Sequence, residues 1–325
     1  MNLTLNRLNM KNKIFLSVIA SLISSNAFSA TVYYTNPDST AATWVKNNAA
    51  DSRTATIKNA IADKPMARWF TGTSQSTDDL TSKITSYTTA AKNASATPLL
   101  VAYNIPGRDC SGGASSGGAA SATAYKKWID NFIAGIGSRA AVVILEPDAI
   151  ADADCLTSDK RDERFSLLNY AATAFSTKAP AAQVYIDAGN PAWLNAAKAG
   201  EYLNRAGVKK VKGFALNVSN FYTTAQNTTY GNNINSFLSS SYGFTKSFLI
   251  DTSRNGNGAN PGDWCNPPGR KIGTVTQALT ANIMAAWVKV PGNSDGASSP
   301  TADCHGGPAA GTFSPGLATK LINGN

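Results

Sequence analysis

Histidine is nearly absent: the 325 residues contain one, His305, in a Gly/Pro-rich loop. A Ser-His-Asp hydrolase needs a histidine base beside its serine, and no G-x-S-x-G elbow follows a predicted strand, so the sequence argues against that chemistry. His305 reads as an ordinary loop residue. Cysteine is scarce too: Cys110, Cys155, Cys265 and Cys304 form no C-x-x-C pair. With one histidine in the chain this argues against a zinc site, and no metal or organic cofactor is implied. Long hydrophobic runs are lacking. The most apolar stretch, IFLSVIASLI, falls far short of the roughly 20 residues a membrane span requires. Clustered positive charge is lacking as well: the formal net charge is +9, but basic residues reach only short pairs such as Lys209-Lys210. Nucleic acid and membrane are therefore poor candidates for partners.

What is present begins with a leader. MNLTLNRLNMKNK carries Arg7, Lys11 and Lys13 and no acid, the apolar run follows, and Ala27-Phe28-Ser29 supplies small residues for cleavage. This is the pattern of a secretory signal peptide over residues 1–29, with one catalytic domain over 30–325 and a periplasmic or extracellular destination. Four cysteines in an exported chain predict disulfides, with three possible connectivities.

Short β-branched runs alternate with helical spacing. TVYYT (31–35), ARWFTG (67–72), PLLVAYN (98–104), AVVILE (141–146), QVYID (183–187), KGFALN (212–217) and SFLID (247–251) read as strands. Segments 123–136, 163–176 and 191–207 read as helices, the last with Pro191 near its start and Gly207 at its end. Alternation of this kind predicts an α/β fold with a parallel sheet. No internal repeat stands out. The strands end in Asn104, Glu146, Asp187, Asn217 and Asp251. In a TIM-like (β/α) barrel the active site lies at the C-terminal strand ends, so these five are expected at one mouth. A carboxylate-rich mouth with aromatic residues nearby points to sugar chemistry.

Two segments are more specific. VAYNIPGRDCSGGASSGG (101–118) closely resembles the first signature of glycoside hydrolase family six, and VVILEPDAIA (142–151) resembles the second. ARWFTG, YIDAG, NVSNF, IDTSRNG, GDWCNPPG and WVKVPG follow the family order, so the resemblance spans nearly all of the chain after the leader. It implies a distorted barrel of about seven parallel strands. It also implies a secreted endo-β-1,4-glucanase that inverts the anomeric centre, with the two carboxyls roughly 6.5 to 9.5 Å apart.

By motif position Asp148 is the general acid, Asp109 a modulator or proton relay acting with Ser115, Asp295 the candidate base held by Lys289 and Arg254, and Asp187 a charge-tuning neighbour. Tyr103 lies close to the reacting sugar. Glu146 belongs to structural pairing with a buried donor. Trp69, Trp193 and Trp264 match positions that line glucosyl subsites, and Asn217 and Lys289 would bind sugar hydroxyls. Trp44, Trp128 and Trp287 sit on helical patterns and read as core. The family pairs Cys110 with Cys155 and Cys265 with Cys304. Two departures matter: many members have His where this chain has Asn190, and Glu where it has Asn293.

The stretches 217–264 and 265–304 look short, which favours an open cleft and internal cutting, and SGGASSGG reads as a mobile lid. No tandem binding module or Pro/Ser/Thr linker is evident. The expected partner is a β-1,4-glucan bound by a monomer. Alternatives are a cellobiohydrolase, a hydrolase of another β-glycan, or a glucan-binding protein on the same fold.

Overall fold

The computed structural model describes residues 31–72, 77–111, 115–299 and 302–325, and the leader lies outside the described residues. Two short helices, α1 (Thr40–Asn47) and α2 (Thr54–Ile57), precede the first strand. The chain then alternates β1 (Arg68–Thr71), α3 (Thr77–Asn93), β2 (Leu99–Tyr103), α4 (Ala122–Ile136), β3 (Ala141–Leu145) and α5 (Ser158–Lys178). It continues through β4 (Ala182–Asp187), α6 (Ala196–Arg205), β5 (Gly213–Leu216), α7 (Thr224–Tyr242) and β6 (Ser247–Asp251). The short β7 (Gln277–Ala278), β8 (Ile283–Ala286) and α8 (Pro315–Asn323) complete it.

The sheet runs β1-β2-β3-β4-β5-β6-β8-β7, parallel throughout except for the antiparallel β7–β8 pair. All residues of β2 and β3 are buried, as expected for parallel strands covered on both faces. Period-two alternation then sorts the side chains. Leu99, Val101, Val142, Ile144, Ala215 and Leu249 fill the inside of the curled sheet. Leu100, Val143, Leu145, Phe214 and Phe248 pack outward with Trp128, Phe132 and Phe165 of the helix layer. The expected TIM-like distorted (β/α) barrel is thus present. Its ladder does not close between β1 and β8: the Ala67 amide donates to Trp287 O at 2.8 Å and the Trp69 indole Nε1 to Val288 O at 2.8 Å.

Three readings of elements change. The segment 31–35 is not a barrel strand: it forms a single bridge, Tyr33 to Thr97, because beyond that point β1 occupies this edge of β2, with Arg68 opposite Leu100. The last parallel strand is instead β8, whose sequence IMAA favours helix by propensity. Pairing with β6, Phe248 to Ile283 onward, overrides that preference. Trp287 is fully buried as expected, but at the end of this strand and not on a helix. Helix α6 starts at Ala196, capped by Asn195 whose side chain accepts from the Lys198 amide, rather than near Pro191. Trp128 lies buried on α4, and Trp44 on α1 is partly buried against Phe313.

Among the described residues no helix is long and apolar enough to cross a membrane.

Candidate active site

The five strand-end residues are all buried, and the side chains of four of them, Glu146, Asp187, Asn217 and Asp251, bind loops rather than facing a common mouth. Glu146, at the end of β3, accepts from the Asn104 and Ile105 amides beyond β2, both at 2.8 Å. Asp187, at the end of β4, accepts from the Asp148 amide at 2.9 Å and the Gly189 amide at 3.2 Å. Asp251, at the end of β6, accepts from Ser219, Ser253, Val288 and Lys289 amides. Asn217 donates to Asp251 O at 2.8 Å and accepts from the Tyr222 amide at 3.0 Å. Each of these four strand ends thereby fixes the start of a loop, usually a neighbour's. Asn217, expected to touch sugar, has its amide committed inside the protein. The physical reason is that a buried acceptor must be satisfied, and the nearest donors are orphan loop amides.

Loops held in this way surround a cleft of about 1060 Å³. Trp69, Tyr103, Asp109, Ser115, Asp148, Trp193, Trp264, Lys289 and Asp295 all line it. Asp187 and Arg254 do not line it and act from behind. Asp148 and Asp109 both carry left-handed backbone, φ 68° and 55°, as does Glu146 at 51°. Non-glycine residues persist there only when their surroundings over-determine the conformation. Asp109 accepts from the Ser115 amide at 2.6 Å, and Arg108 ties the same turn through Ser115 O at 2.8 Å and Tyr103 O at 2.7 Å. Residues 112–114 of the expected lid lie outside the described residues.

The carboxyls divide sharply in acidity. Burial pushes Asp148 well above the usual carboxylate range, and the charges of Asp187, Asp152 and Asp109 add to the effect against Lys289. Burial likewise raises Asp187 to about 7, opposed by the backbone amides it accepts from. Glu146 is raised by burial to about 7 against its own two amide donors. Asp295 goes the other way. Burial would raise it, but Arg254 and Lys289 more than offset this and hold it at about 2. Arg254 Nη1 lies 2.7 Å and Lys289 Nζ 2.9 Å from its oxygens.

Aromatic walls complete the cleft. Trp69 stands edge-on to Tyr103, ring centroids 5.5 Å apart. Trp193 is 45% exposed, open to stack on a ring. Gly189, at φ 73°, lets it fold back: a Cβ there would lie 2.8 Å from the indole. Both expected disulfides form, Cys110–Cys155 beside Asp109 and Cys265–Cys304 beside Trp264. His305 is more than a plain loop residue, with Nε2 3.0 Å from Asp263 and Nδ1 3.5 Å from Asp303. Asn190 is buried and caps its own turn through Ala192 N, and Asn293 accepts from Thr40.

Sequence reasoning missed Asp152, which lines the cleft four residues after Asp148, and gave Arg108 no role. The i to i+4 spacing was a legible signal for the first, and the signature turn itself for the second.

The sequence pattern of Glycosyl hydrolases family 6 matches residues 24–325. The chain is 47% identical over 292 residues to Endoglucanase 1 of Streptomyces halstedii, spanning 90% of this chain and 88% of that one. It is 38% identical over 285 residues to Endoglucanase 1 of Streptomyces sp. (strain KSM-9), spanning 86% and 75%. Among solved structures, the endoglucanase Cel6 from Mycobacterium tuberculosis, in complex with a methyl-cellobiosyl-4-deoxy-4-thio-β-D-cellobioside, superposes with TM-score 0.82. It is 39% identical and spans 91% of this chain and 97% of its own. An acid-lined, tryptophan-walled cleft at the C-terminal strand ends and a match running through residues 24–325 together make this chain a member of glycosyl hydrolase family 6.

Proposed function

We propose that the protein is an exported, monomeric endo-β-1,4-glucanase that hydrolyses cellulose-type glucans with inversion. The observation that carries the reading is the pairing, across one open cleft, of a carboxyl driven toward protonation (Asp148) with one held ionised at about 2 (Asp295). Inverting hydrolysis requires a protonated acid on the glycosidic oxygen and a negative group on the water side. Trp69, Trp193 and Trp264 offer stacking faces for successive glucosyl units, and Tyr103 supports the ring at the scissile bond.

Asp295 is ionised at any working pH, but its charge is committed to Arg254 and Lys289, which makes it a weak base. It orients the attacking water and balances the two cations, and the released proton passes toward Asp109, held by Ser115. Export rests on the leader of residues 1–29 and on two disulfides, which persist in oxidising compartments.

The test follows viscosity and new reducing ends together on carboxymethylcellulose, for the native chain and Asp148→Asn. A steep viscosity fall with few new ends, absent from the variant while glucan binding persists, is the expected result. Hydrolysis by neither protein would overturn the reading and favour a glucan-binding role.

A further inference from the structure

Arg164 belongs to α5, in the outer helix layer, yet it is among the largest fully buried side chains of the protein. A buried guanidinium normally faces a carboxylate, because an unpaired buried charge is costly. Arg164 makes no ion pair among the described residues. Its fork is filled by backbone instead: Nη2 donates to Gly107 O at 2.6 Å and to Pro106 O at 3.4 Å, and Nη1 donates to Ala149 O at 3.2 Å. Nε has no partner.

These carbonyls belong to two different loops. Gly107 lies two residues before Asp109, and Ala149 directly follows Asp148. One side chain from the helix layer therefore joins the loop after β2 to the loop after β3 immediately beside both cleft carboxyls. The planar fork, with several donors in fixed geometry, suits this bridging in a way an ammonium does not. Other ties between these loops are Glu146 at the strand ends, the Ser111 hydroxyl donating to Asp152 at 2.9 Å and the Cys110–Cys155 bridge, none of which reaches the carbonyls of Gly107 and Ala149. The left-handed backbone at Asp109 and Asp148 needs such support to persist.

We propose that Arg164 is a positioning residue for glucan hydrolysis, fixing the carbonyls beside Asp109 and Asp148 so that both carboxyls address one glycosidic bond. It touches neither substrate nor reacting atoms. The inference rests on the hydrolase reading above, and native turnover of carboxymethylcellulose, measured in parallel, decides that reading independently of any Arg164 variant.

The experiment compares native enzyme, Arg164→Met and Arg164→Lys on a soluble cello-oligosaccharide, with kcat referred to folded protein measured by circular dichroism. Because the Cys110–Cys155 bridge still joins the loops, the Met variant is expected to fold. Its kcat should fall by about 10- to 100-fold, the scale set by roughly 1 Å misplacement of reacting groups. KM should stay within about twofold, since the tryptophan walls stand on other loops. Arg164→Lys, which keeps the charge but not the fork, should recover part of the loss in kcat. A purely structural role would lower the unfolding midpoint and leave kcat per folded molecule unchanged, and that result overturns the proposal. So does failure of both variants to accumulate as folded protein, which would make Arg164 a folding requirement instead.

Discussion

At the scale of single residues, electrostatics assigns the work. In the acid role proposed above Asp148 must be protonated, so activity is expected to fall as pH rises through its elevated pKa. Removing the Asp187 charge removes one of the neighbours that raise it. Asp187→Asn is sterically suited to this test, because one carboxylate oxygen accepts both amides and the other has no partner. The alkaline limb of kcat/KM should move to lower pH, and an unmoved limb would show that Asp187 does not tune Asp148.

Asp295 carries a stability term of the opposite sign. Its carboxyl falls from an ordinary 3.8 to about 2 on folding, so its contribution is complete above 3.8 and is lost as pH drops toward 2. Asp295→Asn would leave Arg254 and Lys289 without their carboxylate, at a cost of about 3–5 kcal/mol. Urea unfolding at neutral pH measures that cost. That Asp148, Asp109, Trp69, Trp193 and Trp264 lie on one cleft was legible from motif context. Asn217 was not, because a strand-end amide that binds sugar and one that binds a loop look identical in one dimension.

Among the elements, the loops depend on ties between neighbours more than on their own propensities. The Cys265–Cys304 bridge closes a separation of 39 residues around the Trp264 and Asp295 loops. Replacing both cysteines by serine should destabilise by about 4 kcal/mol in the chain-entropy model, visible as a lower midpoint in denaturant. An unchanged midpoint would show that the core alone holds these loops. Strands β2 to β6 were readable because parallel strands buried on both faces leave near-continuous apolar runs. Strand β8 was not readable, since Ile-Met-Ala-Ala carries no β signal of its own and becomes a strand only through the exposed edge of β6. Segment 31–35 failed for the converse reason: its pattern suits a strand, but β1 already fills the edge it would need.

Taken as a whole molecule, the curled sheet gathers residues from Trp69 to Asp295 into one cleft. An open cleft predicts that early products from a long glucan spread over several lengths. Release of a single disaccharide from the outset, read by chromatography, would instead indicate action from chain ends. The sequence by itself determined the α/β alternation, the family signatures, the segment that carries Asp148 into the cleft and the cysteine pairing that the family implies. These reside in local spacing and residue chemistry, which a linear chain displays. Only the tertiary structure decided which strand completes the sheet, that the strand-end carboxylates bind neighbouring loops, and that Arg164 reaches the active-site loops. Those outcomes depend on which donors, charges and free edges lie close in space, and residues far apart in the chain supply them.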